Sequence, residues 1–199
     1  IHEMDVDENK YLSNIWVYNV STGEINKLTS FNQESSFVWL DENNIIFSTV
    51  REEKDKKRLE KGEPFTIYYK ININGGEAEK YFEVPLMVTK IEPLNDKKFV
   101  LTGIYDRKIN DLISSSPEEK EKLLEKMREE KDYEILDEIP FWSNGHGFTN
   151  KKRNRLYIFS FDEKILTPIT DELTNVDDFN ISNDKSKLIY ISNTFKDKM

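Results

Sequence analysis

The sequence predicts an all-β chain, a partial β-propeller with about three blades' worth of four-stranded antiparallel sheet and a helical insertion near 116–131. Three observations carry this: a strand-favouring composition, two kinds of hairpin that alternate along the chain, and short polar loops that close them. Alanine occurs once, at Ala78, while Phe, Tyr and Ile are abundant, and aromatics make up 12% of residues. β-branched and aromatic side chains suit a pleated, half-buried surface. Charged residues reach 34%, but disordered chains are poor in aromatics, so this one is expected to fold.

The first kind of hairpin appears three times. Asn14-Ile15-Trp16-Val17-Tyr18-Asn19-Val20 turns at Ser21-Thr22-Gly23-Glu24 into Ile25-Asn26-Lys27-Leu28-Thr29. Phe65-Thr66-Ile67-Tyr68-Tyr69-Lys70-Ile71 turns at Asn74-Gly75-Gly76-Glu77 into Lys80-Tyr81-Phe82. Arg155-Leu156-Tyr157-Ile158-Phe159-Ser160-Phe161 turns at Asp162-Glu163-Lys164 into a strand ending Thr167-Pro168-Ile169-Thr170. Glycine in the first two turns offers the positive φ that a tight hairpin requires.

The second kind lies between these copies. It comprises Ser36–Leu40 with Asn44–Ser48, Met87–Ile91 with Lys98–Thr102, and Asp178–Ser182 with Lys187–Ile191, each closed by a polar loop. One hairpin of each kind makes a four-stranded blade. Strands apolar on both faces suit a sheet covered on both sides. A β-sandwich built from the same hairpins is the alternative, but it does not require the two kinds to alternate.

Counting strands assigns a half blade to 14–31, a blade to 36–84, a blade to 86–172 with an insertion at 106–153, and a half blade to 176–193. Propellers close with roughly 4–8 blades, so the chain is expected to be a fragment of one propeller domain spanning 1–199. Two insertions stretch the repeat. Residues 51–64 form a charge-rich excursion; residues 106–153 contain Ser116-Pro117-Glu118-Glu119, a capping box with proline at the first helical position. Leu123, Leu124 and Met127 then give the helix a narrow apolar stripe, expected to pack on its own blade.

The formal charge of −9 argues against nucleic acid or an anionic membrane as partner. The basic run Lys151-Lys152-Arg153-Asn154-Arg155 reads as a solvated loop rather than an anion patch. With no cysteine there is neither disulfide nor thiolate metal site, which fits a cytoplasmic protein. No nucleophile elbow G-x-S-x-G occurs, so no catalytic residue is assigned. No calcium-loop spacing, phosphate-binding loop or zinc ligand set is present, so neither cofactor nor metal is expected. His2 lies at a frayed start, and His146 sits between Gly145 and Gly147 as a loop histidine.

The stretch Tyr133 to Phe148, with Ile139-Pro140-Phe141-Trp142 and Gly145-His146-Gly147-Phe148, followed by Arg153 to Ile158, resembles the propeller of acylaminoacyl-peptidase-like members of the prolyl oligopeptidase family. The loops Leu40-Asp41-Glu42-Asn43 and Ser182-Asn183-Asp184-Lys185 are similar to that family's blade opening but lack its proline and glycine. The resemblance implies a non-catalytic propeller that gates peptide access to an α/β-hydrolase domain of the same polypeptide, with hydrolysis by a serine-type peptidase in the full protein. Trp142, Asn144 and His146 would then line the opening as substrate-gating residues. A stand-alone propeller serving as a protein-interaction module is the alternative. Either way an open fragment exposes strand edges and apolar faces, and is expected to self-associate.

Overall fold

The computed structural model describes residues 2–7, 9–106, 115–130, 136, 142–143, 147–148 and 152–194. It divides into two compact units: Ile1–Lys56 with Thr66–Glu83, and Lys57–Phe65 with Val84–Met199.

In unit 1, β1 (His2–Asp5) and β2 (Lys10–Ser13) form a hairpin in which His2 pairs with Ser13. The expected frayed start is therefore corrected: a strand begins there. The next pair, β3 (Trp16–Tyr18) and β4 (Ile25–Lys27), is a separate two-stranded sheet. Gly23 holds φ at +76° in its turn, as a β-hairpin with that loop demands. Then β5 (Ser35–Trp39), β6 (Asn44–Ser48), β7 (Thr66–Asn72) and β8 (Glu79–Val84) join in chain order as one four-stranded sheet. The hairpin carrying Phe37 and the hairpin carrying Ile67 thus lie edge to edge, paired from Asn44↔Asn72 to Ser48↔Tyr68.

The successive residues Ile67, Tyr68 and Tyr69 are all buried, so β7 is covered on both faces. Tyr68 lies tilted against Phe82, ring centroids 5.1 Å apart, and its burial pushes the phenol well above its ordinary pKa. Just beyond β6, the Arg51 guanidinium lies among the rings of Phe31, Phe47 and Tyr69, at 5.2, 5.5 and 4.9 Å. Its Nη2 lies 3.3 Å from Oε1 of Glu34, a fully buried carboxylate that also accepts from the amides of Phe31 and Gln33. Burying such a charge is tolerable only when it is paired and hydrogen-bonded, as here.

The charge-rich excursion contains a helix, α1 (Glu53–Glu60), which the sequence did not announce because it has almost no apolar periodicity. Asp55 on it is 1% exposed and accepts from Nζ of Lys80 at 3.0 Å.

Unit 2 repeats the four-stranded plan. Here β9 (Val88–Asn95), β10 (Lys98–Tyr105), β13 (Arg153–Ser160) and β14 (Ile165–Pro168) lie in the order β14-β13-β10-β9. The pairing of β10 with β13 runs from Lys98↔Ser160 to Tyr105↔Arg153. The long insertion therefore leaves and returns at one end of a paired ladder, which is how the sheet hosts it without a break. Within it are α2 (Pro117–Glu129) and the short pair β11 (Trp142–Ser143) and β12 (Gly147–Phe148). The chain continues into β15 (Thr174–Ile181) and β16 (Leu188–Thr194), a two-stranded hairpin.

The predicted capping box is present. Ser116 Oγ accepts from the Glu119 amide, and Glu119 Oε2 accepts from the Ser116 amide at 2.9 Å. Leu124 is buried and Leu123 and Met127 are half-buried, matching the predicted stripe. The helix is tied to the other insertion: Lys120 donates to Glu63, which also receives a two-pronged contact from Arg58 at 2.8 and 3.0 Å. Arg58 in turn lies 3.9 Å over the Phe65 ring. Hydrogen bonding from Arg58, reinforced by Lys120, outweighs burial and holds the Glu63 carboxyl below its ordinary pKa.

From Arg153 onward the basic run is strand rather than solvated loop. Arg153–Arg155 open β13; Arg153 is 3% exposed, and Arg155 donates Nε to Thr170 O at 2.6 Å while lying over Tyr105 and Tyr157. Arg153 is buried and Arg155 is hydrogen-bonded and set over two rings inside unit 2, so tertiary packing overrode the charge pattern.

Candidate functional site

Two places in the molecule present the same repeat positions in opposite states. In unit 2, one face of the β15–β16 hairpin covers the preceding sheet. Val176, Phe179 and Ile181 pack on Val100 and Leu156 in one buried cluster. Polar groups rim it. Asn154 donates Nδ2 to Val176 O at 2.8 Å and its amide to Asn175 Oδ1 at 3.0 Å, while Thr89 Oγ1 donates to Asn154 Oδ1 at 2.6 Å. Lys90 places its ammonium 4.7 Å over the Phe179 ring and 2.8 Å from Asp178 Oδ1. Burial works against the Lys90 charge, but its hydrogen bonds to Asp178 and Glu92 prevail and raise its pKa. The Lys90 hydrogen bond, with the Phe179 amide, holds Asp178 low in turn.

In unit 1 the corresponding surface is open. A groove of about 620 Å³ runs beside β3, lined by Trp16, Tyr18, Phe37, Trp39, Ile45 and Ile73. Phe37 is 61% exposed and Trp39 51%. Lys27 lies 5.7 Å over the Trp16 ring, and the Trp16 indole N–H has no acceptor among the described residues.

The loops that lack the expected proline and glycine close by side-chain acceptors instead. Asp41 Oδ1 accepts from the amides of Asn43 and Asn44, and Asn95 Oδ1 from those of Lys97 and Lys98. Asp184 accepts from the Ser186 amide and from both flanking serine hydroxyls, Ser182 first, which lowers its pKa to about 2. An acidic or amide side chain reproduces the turn a Pro-Asp-Gly loop would make.

Of the predicted gating residues, Trp142 stands in β11, paired with Phe148 of β12, while Ser143 pairs with Gly147. Asn144 and His146 lie outside the described residues. Sequence reasoning missed the groove and the Lys90–Asp178 contact. The signal was present in the repeat, since Phe37 and Trp39 align with Phe179 and Ile181, but alignment does not reveal which copies are covered. Among the described residues, no cluster of three or more Asp, Glu or His is set to hold a metal ion, and no helix is long and apolar enough to cross a membrane.

No protein-family model matches the chain, and no curated protein matches it in sequence. Solved structures match it in fold. An orthorhombic crystal form of the acylaminoacyl peptidase of Pyrococcus horikoshii superposes with a TM-score of 0.56 at 13% identity, over 88% of this chain and 24% of that one. The uncomplexed form of the same enzyme gives 0.54 at 13% identity, over 88% and 23%. An acylaminoacyl peptidase in complex with Z-Gly-Gly-Phe-chloromethyl ketone gives 0.53 at 15% identity, over 88% and 23%. The chain is a partial β-propeller. It spans about a quarter of the length of these three solved structures. At such identities the likeness is one of fold alone, that of a propeller.

Proposed function

We propose that this partial propeller is the non-catalytic portion of a cytoplasmic serine peptidase of acylaminoacyl-peptidase type, where it gates peptide access to an α/β-hydrolase domain of the same polypeptide. The observation that carries this is the superposition of 88% of the chain on an acylaminoacyl peptidase, joined to a blade order shared by two four-stranded sheets. In this role Trp142, Asn144 and His146 act by excluding or orienting peptide ends, and the chain contributes no nucleophile. Nothing in its sequence provides a G-x-S-x-G turn.

The test compares the 199-residue chain with a polypeptide extended through its following domain. Hydrolysis of acyl-aminoacyl chromogenic substrates and labelling by a serine-directed fluorophosphonate are expected only in the extended form. In that form Trp142→Ala is expected to raise turnover of long peptides relative to short ones. Turnover by the 199-residue chain alone, or an extended polypeptide that takes no serine label, would refute the proposal.

A further inference from the structure

The turn between β7 and β8 sets an asparagine against a backbone nitrogen that can attack it. Asn74 precedes Gly75, and residues 74–77 are all exposed. Gly75 and Gly76 hold φ at +109° and +114°, and a β-carbon built on either would meet nothing within 4 Å. Residues with side chains rarely adopt such φ values, so the turn depends on glycine. The consequence for Asn74 is chemical. The nitrogen that follows it is not crowded by a side chain, and its backbone is free to rotate into the space around it.

Hydrogen bonding leaves the Asn74 carboxamide unengaged. The Asn74 amide donates to Asn72 Oδ1 at 2.9 Å, and the Gly75 amide donates to Asn72 O at 3.1 Å. The Asn74 side chain itself has no hydrogen bond among the described residues. Asparagines in other turns stand differently. Asn19 Oδ1 accepts from the Ser21 and Thr22 amides, and Asn95 Oδ1 from those of Lys97 and Lys98. Val20 and Asp96 follow them, so a side chain crowds the next nitrogen as well. Asn43 and Asn183 are exposed too, but Asn44 and Asp184 follow. Among the described residues, Asn74 alone joins an exposed, unengaged carboxamide to a following glycine.

We propose that Asn74–Gly75 is a self-modification site, where the chain converts asparagine to aspartate and isoaspartate with water as co-reactant. A base removes the Gly75 amide proton, and the nitrogen attacks Asn74 Cγ. The N–Cγ bond forms, the Cγ–Nδ2 bond breaks and ammonia leaves, closing a cyclic succinimide. Water then opens the ring. Attack at Cγ restores the original main chain with an aspartate side chain; attack at the main-chain carbonyl leaves Gly75 joined through Cγ, as isoaspartate. The Gly75 hydrogen bond to Asn72 O must open first, so the folded turn restrains a reaction that its glycines permit. Either product adds a negative charge close to Glu77, and isoaspartate adds a methylene to the main chain. The inference goes beyond the peptidase proposal and does not depend on it.

The test incubates the full chain in mildly alkaline buffer made with heavy-oxygen water and follows its peptides by mass spectrometry. The peptide holding Asn74 is expected to yield an aspartate and an isoaspartate product, both carrying solvent oxygen, the latter methylated by an isoaspartate methyltransferase. Peptides holding Asn19, Asn43, Asn95 or Asn183 should lag behind it. Unfolding in guanidinium chloride should accelerate conversion at Asn74 by releasing the Gly75 amide. Asn74→Gln, which must close a larger ring, should react at least about ten-fold more slowly, with an unaltered circular dichroism spectrum as the check that it has folded. An Asn74 that stays intact, equal conversion at the other four asparagines, products without solvent oxygen, or no acceleration on unfolding would overturn it.

Discussion

The covered face in unit 2 and the open groove in unit 1 use the same positions of one repeat, yet one buries them and the other does not. Phe179 is 2% exposed and Phe37 is 61% exposed, although each is an aromatic residue at the same place on the first strand of the second kind of hairpin. The difference teaches that burial here belongs to the neighbour rather than to the residue. A two-sided apolar strand is stable only when a sheet lies on each face, and an uncovered copy remains as adhesive surface.

Five substitutions break or sharpen that comparison. The largest effect is expected at the covered face: Phe179→Ala should destabilise unit 2 by about 3–5 kcal/mol through lost burial and a residual cavity. The matching Phe37→Ala, measured in dilute solution, should change stability by no more than about 0.5 kcal/mol. Denaturant midpoints of the two variants provide the check, and equal losses would erase the distinction between the two surfaces.

Next comes Gly103, in β10. A β-carbon there would stand 2.9 Å from Leu86 Cγ and 2.9 Å from Met87 O. Gly103→Ala is expected to cost about 1–3 kcal/mol by overpacking, read from the same denaturation curves. A smaller, local loss follows from the insertion. Ser116→Ala removes the side-chain acceptor of the capping box and should weaken α2 by about 1 kcal/mol, seen as faster amide exchange over 118–129 with the β10–β13 ladder unaffected.

The smallest effect concerns Glu63. Its folded carboxyl titrates below the ordinary glutamate range because Arg58 and Lys120 favour its charged form. The unfolded state therefore takes up a proton first as pH falls. The contribution is complete above the ordinary glutamate pKa and disappears as pH drops through the lowered folded value. Glu63→Gln should flatten that acid limb in denaturation profiles recorded between roughly pH 3 and 7; an unchanged limb would mean the contact between the insertions is not maintained in solution.

Much of the architecture was legible before any coordinates. Alternating hairpins announced the strand order of both four-stranded sheets, because apolar periodicity and turn residues are local properties. The capped helix was equally plain, since Ser116, Pro117 and Glu119 act on one another within a single turn. Helix α1 was not, because its eight residues pack through Asp55 and through charged stems rather than an apolar stripe. The basic run misled for a related reason: Arg153 and Arg155 are drawn into β13 by long-range pairing and aromatic contacts that charge alone does not encode. The gating residues were chosen by resemblance, and of these the structure describes only the strand position of Trp142.

By itself the sequence determined the hairpins, their order and the absence of an internal nucleophile elbow, all of which depend on neighbouring residues along the chain. Tertiary structure alone decided which copies of a repeated position are covered. Burial of a sheet face requires a second sheet to arrive from elsewhere in space, and no local pattern records whether it does.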